Sequence, residues 1–176
     1  LLVITDQQRG DCLGVEDHPV LLTPTMDSIA AGGARFRRAY TTCPSCIATR
    51  RGILSGQFPS THGMVGYRDG VEWDAPPTLP GVLRDAGYQT VMIGRSMHQH
   101  PPRKRYGYDR MISHETHYLR LLDEELPGHV DPFFAAGPMH NDWTARSWPH
   151  PEHLHITQWV TDEALRFLRE ERDPSC

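Results

Sequence analysis

The chain opens on Leu1-Leu2-Val3-Ile4-Thr5, a continuous apolar, β-branched run closed by Asp6. A run with no polar alternation suits a strand buried on both faces, the situation of parallel sheets covered by helices. Sites in such sheets lie beyond the carboxyl ends of the strands, which is where Asp6 would stand. The rest of the chain alternates in keeping with this. Thr23-Pro24 offers a cap and a first-turn proline for a helix through Met26, Ile29 and Ala30, closed by Gly32-Gly33. A short strand is predicted near residues 34–40. Thr78 caps a second helix with Leu79, Val82, Leu83 and Ala86 on one face and Gly87 at its end, and residues 89–93 form the next strand. Ile156, Trp159, Val160, Ala164, Phe167 and Leu168 recur at helical spacing. Residues 57–77 read as irregular connection, and the histidine-rich stretch 95–151 as loops and short pieces. The predicted class is α/β, a layered, mostly parallel sheet flanked by helices.

Composition narrows the function classes. With 176 residues, 38% of them hydrophobic, the chain can form one domain, burying about 70% of its unfolded surface. Its 18 basic residues are outnumbered by 22 acidic ones, and the basic clusters Arg37-Arg38, Arg50-Arg51 and Arg103-Lys104-Arg105 are short. This balance argues against a nucleic-acid partner. No apolar run reaches the length of a membrane span. Four cysteines, two of them in one motif, do not make a disulfide framework in a chain this size. The chain starts without methionine, directly inside an apolar run, and stops abruptly at Asp173-Pro174-Ser175-Cys176, so it reads as a piece of a longer protein. Its compartment, cytoplasm or periplasm, stays open.

Chemistry concentrates in Cys46-Ile47-Ala48-Thr49-Arg50-Arg51-Gly52-Ile53-Leu54-Ser55-Gly56. A thiol followed four positions later by arginine, with an apolar run and a glycine beyond, fits a loop cysteine at a helix N-terminus with a guanidinium one turn away. Both features favour an anion there. Taken alone, the stretch leaves alternatives open. Cys43-Pro44-Ser45-Cys46 is a C-x-x-C that suits a redox dithiol, half a zinc site or inert cysteines as well as a nucleophile. The pairs His98/His100, His114/His117 and His153/His155 also carry zinc-ligand side chains, but spacing does not make them converge.

The cysteine stretch resembles the signature of the sulfatases, C-x-(P or A)-x-R followed by a leucine-rich turn and Thr-Gly or Ser-Gly, with Ala48 at the place where proline is commoner. A register on Cys43 fails, because Ile47 stands where the arginine belongs. Other segments resemble the family in the same order: the opening strand with Asp6-Gln7, Thr23-Pro24-Thr25-Met26-Asp27, Pro59-Ser60-Thr61-His62-Gly63, and Gly87-Tyr88-Gln89-Thr90 running to Gly94-Arg95-Ser96-Met97-His98. Arg105-Tyr106-Gly107-Tyr108-Asp109 and Thr161-Asp162-Glu163-Ala164 complete the series. Two departures stand out: Arg95 replaces the usual lysine, and Ser96 is one residue extra before Met97-His98.

The resemblance implies the N-terminal part of a single sulfatase catalytic domain over residues 1–176, with an alkaline phosphatase-like layered sandwich that is incomplete. It implies that a maturation enzyme oxidises Cys46 to formylglycine. The hydrated aldehyde carries two hydroxyls on one carbon, so one can attack sulfur and the other can later expel the sulfate. Arg50 would offset developing negative charge, Arg95 would hold a sulfate oxygen, and His98 would bind the ester oxygen or protonate the leaving group. Asp6, Gln7 and the converted Cys46 match ligands of a divalent cation, Ca2+ or else Mg2+ or Mn2+. The family's later Asp-His or Asp-Asn pair and its Pro-His-x-Pro segment do not occur, so the 176-residue chain by itself is expected to be inactive; a sheet cut before its later strands would leave an unpaired edge and an uncovered apolar face, so it is also expected to be poorly soluble. The implied substrate is a small sulfate monoester. The competing readings are a phosphonate or phosphate monoester hydrolase with the same parts, a non-catalytic anion-binding member and, last, a Cys43/Cys46 redox protein.

Overall fold

Short, locally specified elements dominate the structure, a computed structural model that describes residues 1–6, 8–95, 100–101, 103–126 and 147–176. The chain divides into two units, Leu1–Thr41 and Thr42–Cys176.

In the first unit the apolar run 1–5 is not a strand. Leu1, Leu2, Val3 and Ile4 are exposed, and the predicted strand near 34–40 is likewise irregular. The reason is physical: a strand's backbone groups need a neighbouring ladder, and none of the described residues pairs with either segment. What does form is local. A 3-10 turn, Gly14–Glu16, precedes helix α1, Pro24–Gly32, which begins on its proline as the sequence predicts. Thr23 does not cap it through its side chain. Its hydroxyl instead donates to Asp27 Oδ1 at 2.8 Å and accepts from the Gly14 N–H at 2.8 Å, while Asp27 Oδ1 accepts from Val15 N–H at 2.9 Å. The pair ties the turn to the helix.

The second unit contains the rest. Helix α2, Cys46–Ser55, starts from extended Ser45 and stops at Gly56, whose left-handed φ of 69° lets its N–H reach the Gly52 carbonyl at 2.8 Å. Helix α3, Pro59–His62, and helix α4, Leu79–Asp85, pack against α2. Thr78 caps α4 as predicted, accepting from Gly81 N–H. Leu79 and Val82 nevertheless remain exposed, so the apolar face predicted for α4 is not buried. Strand β1, Val91–Gly94, pairs in parallel with strand β2, Arg110–Ser113, with Gly94 opposite Ser113. The loops predicted for 95–151 therefore contain a strand. They also contain a π-helical turn, His114–Tyr118, and helix α5, Leu119–Glu125.

Helix α6, Ile156–Arg166, lies over the sheet. A Cβ at Gly94 (φ 109°) would meet Val160 of α6 at 3.3 Å. Ile112, Tyr118, Leu122, Leu154 and Trp159 form the main core there. Tyr118 donates its hydroxyl to the Leu154 carbonyl at 2.7 Å, and burial pushes its phenol up to about 12.

The segment before β2 explains why β1 and β2 meet in register. Tyr106 (φ 49°) and Gly107 (φ 96°) turn the chain in left-handed geometry. A side chain at Gly107 is excluded, since its Cβ would lie 2.3 Å from the Gly81 nitrogen. Asp109 then accepts from both the N–H and the hydroxyl of Thr90 at 2.9 Å and returns its own N–H to the Thr90 carbonyl. These donors, the backbone N–H first, hold the Asp109 carboxyl below its ordinary range.

Candidate active site

Cys46 is the first residue of α2 and is half-buried with Cys43 against Ile47, Ala48 and Met64. The loop before it is closed by the Cys43 carbonyl, which accepts from Ser45 N–H at 2.8 Å and from the Thr49 hydroxyl at 2.5 Å. The Ser45 hydroxyl, next to Cys46, is buried with no hydrogen-bond partner among the described residues. Neither Cys43 nor Cys46 is in a disulfide.

One helical turn beyond Cys46, Arg50 is 8% exposed. Its Nη1 donates to the Arg95 carbonyl at 3.4 Å, which joins α2 to the carboxyl end of β1. Three of the predicted catalytic residues, Cys46, Arg50 and Arg95, thus belong to two elements that meet at one edge of the sheet. This is the location that parallel strands reserve for sites. His98 and Gln7 lie outside the described residues. Asp6 is exposed and belongs to the other unit.

Behind Arg50 lies an assembly that sequence reasoning missed. Arg51, only 3% exposed, donates to the Val71 carbonyl at 2.8 Å and sits over the Trp73 ring at 5.2 Å. Trp73 stacks on Tyr106 at 5.4 Å, and the Lys104 ammonium, 5.5 Å from the Tyr106 ring, donates to the Trp73 carbonyl at 3.3 Å. Two cations and two rings gather here, contacts favoured by the rings' quadrupoles. Burial lowers the Arg51 guanidinium and raises the Tyr106 phenol from their ordinary values. The stack also grips the chain just past His98: the His100 carbonyl accepts from Trp73 N–H at 3.1 Å and from the Tyr106 hydroxyl at 2.9 Å. No local pattern in Arg50-Arg51 distinguishes a buried arginine from a basic surface pair, so only the spacing of Trp73 and Tyr106 in three dimensions reveals it.

His62 closes the other side of α2. It is 8% exposed; its Nδ1 accepts from Met64 N–H at 3.2 Å and its Nε2 is buried with no hydrogen-bond partner among the described residues. Desolvation holds it below the ordinary imidazole value.

For a divalent cation the donor set is thin. Among the described residues no three His, Cys, Asp or Glu side chains gather in a way that could hold a metal. Calcium takes six to eight oxygens, so these residues do not make such a site by themselves. No helix among the described residues is long and apolar enough to cross a membrane.

Comparison with known proteins gives a consistent result. The Sulfatase family profile matches residues 1–175. The arylsulfatase of Clostridium perfringens is 38% identical over 194 residues, which cover 99% of this chain and 40% of that protein. The N-acetylglucosamine-6-O-sulfatase of Bacteroides thetaiotaomicron is 27% identical, covering 100% of this chain and 28% of its own length. Among solved structures, the phosphonate monoester hydrolase of Agrobacterium radiobacter superposes with a TM-score of 0.73 at 22% identity, over 96% of this chain and 37% of that one. That likeness establishes the alkaline phosphatase-type fold, here in part. A second structure, a protein in complex with its substrate D-glucosamine-2-N,6-O-disulfate, has a TM-score of 0.53 at 29% identity, over 60% of this chain and 21% of that one. The chain spans 40% or less of the length of these relatives.

Proposed function

The chain belongs to the sulfatase family, and on that premise we propose that the protein carrying it hydrolyses sulfate monoesters at Cys46 after a maturation enzyme has oxidised this cysteine to formylglycine. The observation that carries the reading is the buried Arg50 guanidinium, one turn behind Cys46 and bonded to the Arg95 carbonyl. Formylglycine supplies a hydrated aldehyde, whose two hydroxyls let a sulfuryl group be accepted and then released. The chain's own residues do the rest. Arg50, withdrawn from water, offsets the negative charge that grows on the sulfuryl oxygens where the local dielectric makes that worth most. Arg95 binds a further sulfate oxygen with a planar fork where an ammonium is usual in the family. His98 delivers a proton to the departing oxygen, a role that matters most for basic alkoxides. Asp6 contributes one carboxylate oxygen, and Gln7 at most an amide oxygen, to a divalent cation, calcium or magnesium, whose other ligands come from further residues of the protein.

A phosphonate or phosphate monoester hydrolase would use the same charge stabilisation, and the phosphonate monoester hydrolase likeness supplies a shared fold for that second reading. Peptide mass spectrometry after co-production with a maturation enzyme tests the first. The expected result is loss of sulfur at Cys46 and retention of the Cys43 thiol. Matched aryl sulfate and phenyl phosphonate esters then separate the two activities. An unmodified Cys46, or faster phosphonate than sulfate turnover, would discard the sulfatase reading.

A further inference from the structure

Cys43 has no part in the chemistry proposed for Cys46, although the two sulfurs belong to one C-x-x-C motif. Local hydrogen bonds decide where the Cys43 backbone lies. Its carbonyl accepts from Ser45 N–H at 2.8 Å, which folds the chain tightly about Pro44, and from the Thr49 hydroxyl at 2.5 Å. Thr49 N–H in turn donates to the Ser45 carbonyl at 2.8 Å. Thr49 stands three residues after Cys46 in α2, and residues three apart lie one above the other on a helix. The backbone of Cys43 is thereby held against the face of the first turn of α2 that begins with Cys46.

The side chains follow the backbone. Both are half-buried, and both pack on the cluster of Ile47, Ala48 and Met64. Cys12 and Cys176 belong to neither the motif nor this cluster. A disulfide joins Cβ atoms about 3.8 Å apart, so it is restricted to cysteines whose backbones are already brought together. The bonds that fold the turn about Pro44 use the Cys43 carbonyl and not its sulfur. Sulfur chemistry at Cys43 therefore leaves those bonds in place.

We propose that Cys43 is a resolving thiol for Cys46: the two form a reversible disulfide that withholds Cys46 from conversion to formylglycine until it is reduced. The oxidant is a low-molecular-weight disulfide such as oxidised glutathione. The Cys46 thiolate attacks one of its sulfurs, the S–S bond of the small molecule breaks, and one small thiolate leaves with the bonding electron pair. The Cys43 thiolate then attacks the Cys46 sulfur of the mixed disulfide, and the second small thiolate leaves. Two protein S–H bonds are lost, one protein S–S bond is formed, and one small disulfide is reduced to two thiols. Only the consequence for maturation rests on the sulfatase reading; the disulfide rests on the braced turn alone.

The test uses the full-length protein, produced without a maturation enzyme and equilibrated in buffers of rising oxidised-to-reduced glutathione ratio. After acid quenching and alkylation, the tryptic peptide 39–50, which carries Cys43 and Cys46 and no other cysteine, is read by mass spectrometry. It should lose two hydrogens and escape alkylation as the ratio rises, with no lasting glutathione adduct. Cys43→Ala should instead hold glutathione on Cys46, at about tenfold the native level or more, because nothing resolves the mixed disulfide. Cys43→Ser replaces it should the smaller side chain loosen the packing on Met64. Equal glutathione adducts in native protein and variant, or alkylation of both thiols across the whole range, would overturn the proposal. Oxidised native protein, freed of glutathione, should be converted by the maturation enzyme about tenfold more slowly than the same protein reduced with dithiothreitol, and equal rates would remove the withholding role. Matured Cys43→Ala should hydrolyse an aryl sulfate within about twofold of the native rate. A larger loss would place Cys43 in the reaction itself and count against a resolving thiol. Failure of the enzyme to convert even the reduced protein would sink the formylglycine reading, while the peptide masses still decide the disulfide.

Discussion

Residues 1–41, which carry Asp6, and residues 42–176, which carry Cys46 and Arg50, fold to different degrees. The second unit closes three apolar clusters, around Ile112, Ile47 and Leu54. The first has a helix and a turn held by Thr23 and Asp27, and leaves Leu1, Leu2, Val3, Val20, Leu22 and Phe36 exposed. The lesson concerns range of interaction. A helix meets its backbone hydrogen bonds from within, so proline, glycine and capping signals suffice to start and stop it. A strand borrows its hydrogen bonds from a neighbour, so β1 and β2 form because they have each other, while residues 1–5 stay irregular despite a stronger apolar signal.

The comparison can be sharpened or broken by experiment. The largest effect is expected at Arg50: Arg50→Ala in the matured full-length protein should lower kcat for an aryl sulfate by about 10²–10³-fold, as loss of a preorganised charge-stabilising donor does. Steady-state kinetics with a near-normal kcat would detach the assembled unit from the chemistry. Asp6→Asn should cost about a hundredfold in activity, recoverable in part by raising calcium, whereas Gln7→Ala should have a much smaller effect because no formal charge is lost. Equal and small effects would remove the first unit from the site altogether. For stability of the 176-residue chain, Leu54→Ala should cost about 2–5 kcal/mol in urea unfolding. Leu2→Ala should stay within about 0.5 kcal/mol, as surface substitutions do. A Leu2→Ala cost rivalling that of Leu54→Ala would show that the run 1–5 is packed after all.

The smallest effect concerns pH. His62 is held below its ordinary value by burial, so between its native and unfolded pKa values the unfolded chain binds the extra proton. The resulting stability is complete above an unfolded imidazole value of about 6.5 and declines as pH falls below it. Urea midpoints between pH 7 and pH 5 should fall less steeply for His62→Gln than for the native chain; parallel slopes would show that His62 is neutral to the balance.

Legibility followed the same division by range. Pro24, Thr78, Gly56 and Gly87 mark real helix boundaries, and the strand expected over 89–93 forms at Val91–Gly94. Strand β2 was hidden because Arg110-Met111-Ile112-Ser113 is a short, polar-ended stretch whose status is set by Thr90, Asp109 and α6 and not by its own pattern. At the site, Cys46 and Arg50 were readable from spacing, since one helix fixes their separation. The bond from Arg50 to the Arg95 carbonyl crosses elements and could not be read that way. Asp109, noted only as part of a family segment, proves to fasten β2 to the start of β1.

The stack of Arg51, Trp73, Tyr106 and Lys104 gives the protein an optical handle of its own. An indole packed against a guanidinium and a phenol emits according to how closely both approach it, and Trp73 is 5% exposed, shielded from solvent quenchers. Because its neighbours are rooted in the helix of Cys46 and in the chain following His98, the emission of Trp73 reports whether those two pieces are in register. With Trp143, Trp148 and Trp159 replaced, so that Trp73 alone emits, tryptophan fluorescence should give a label-free gauge of site assembly, readable before any substrate is added.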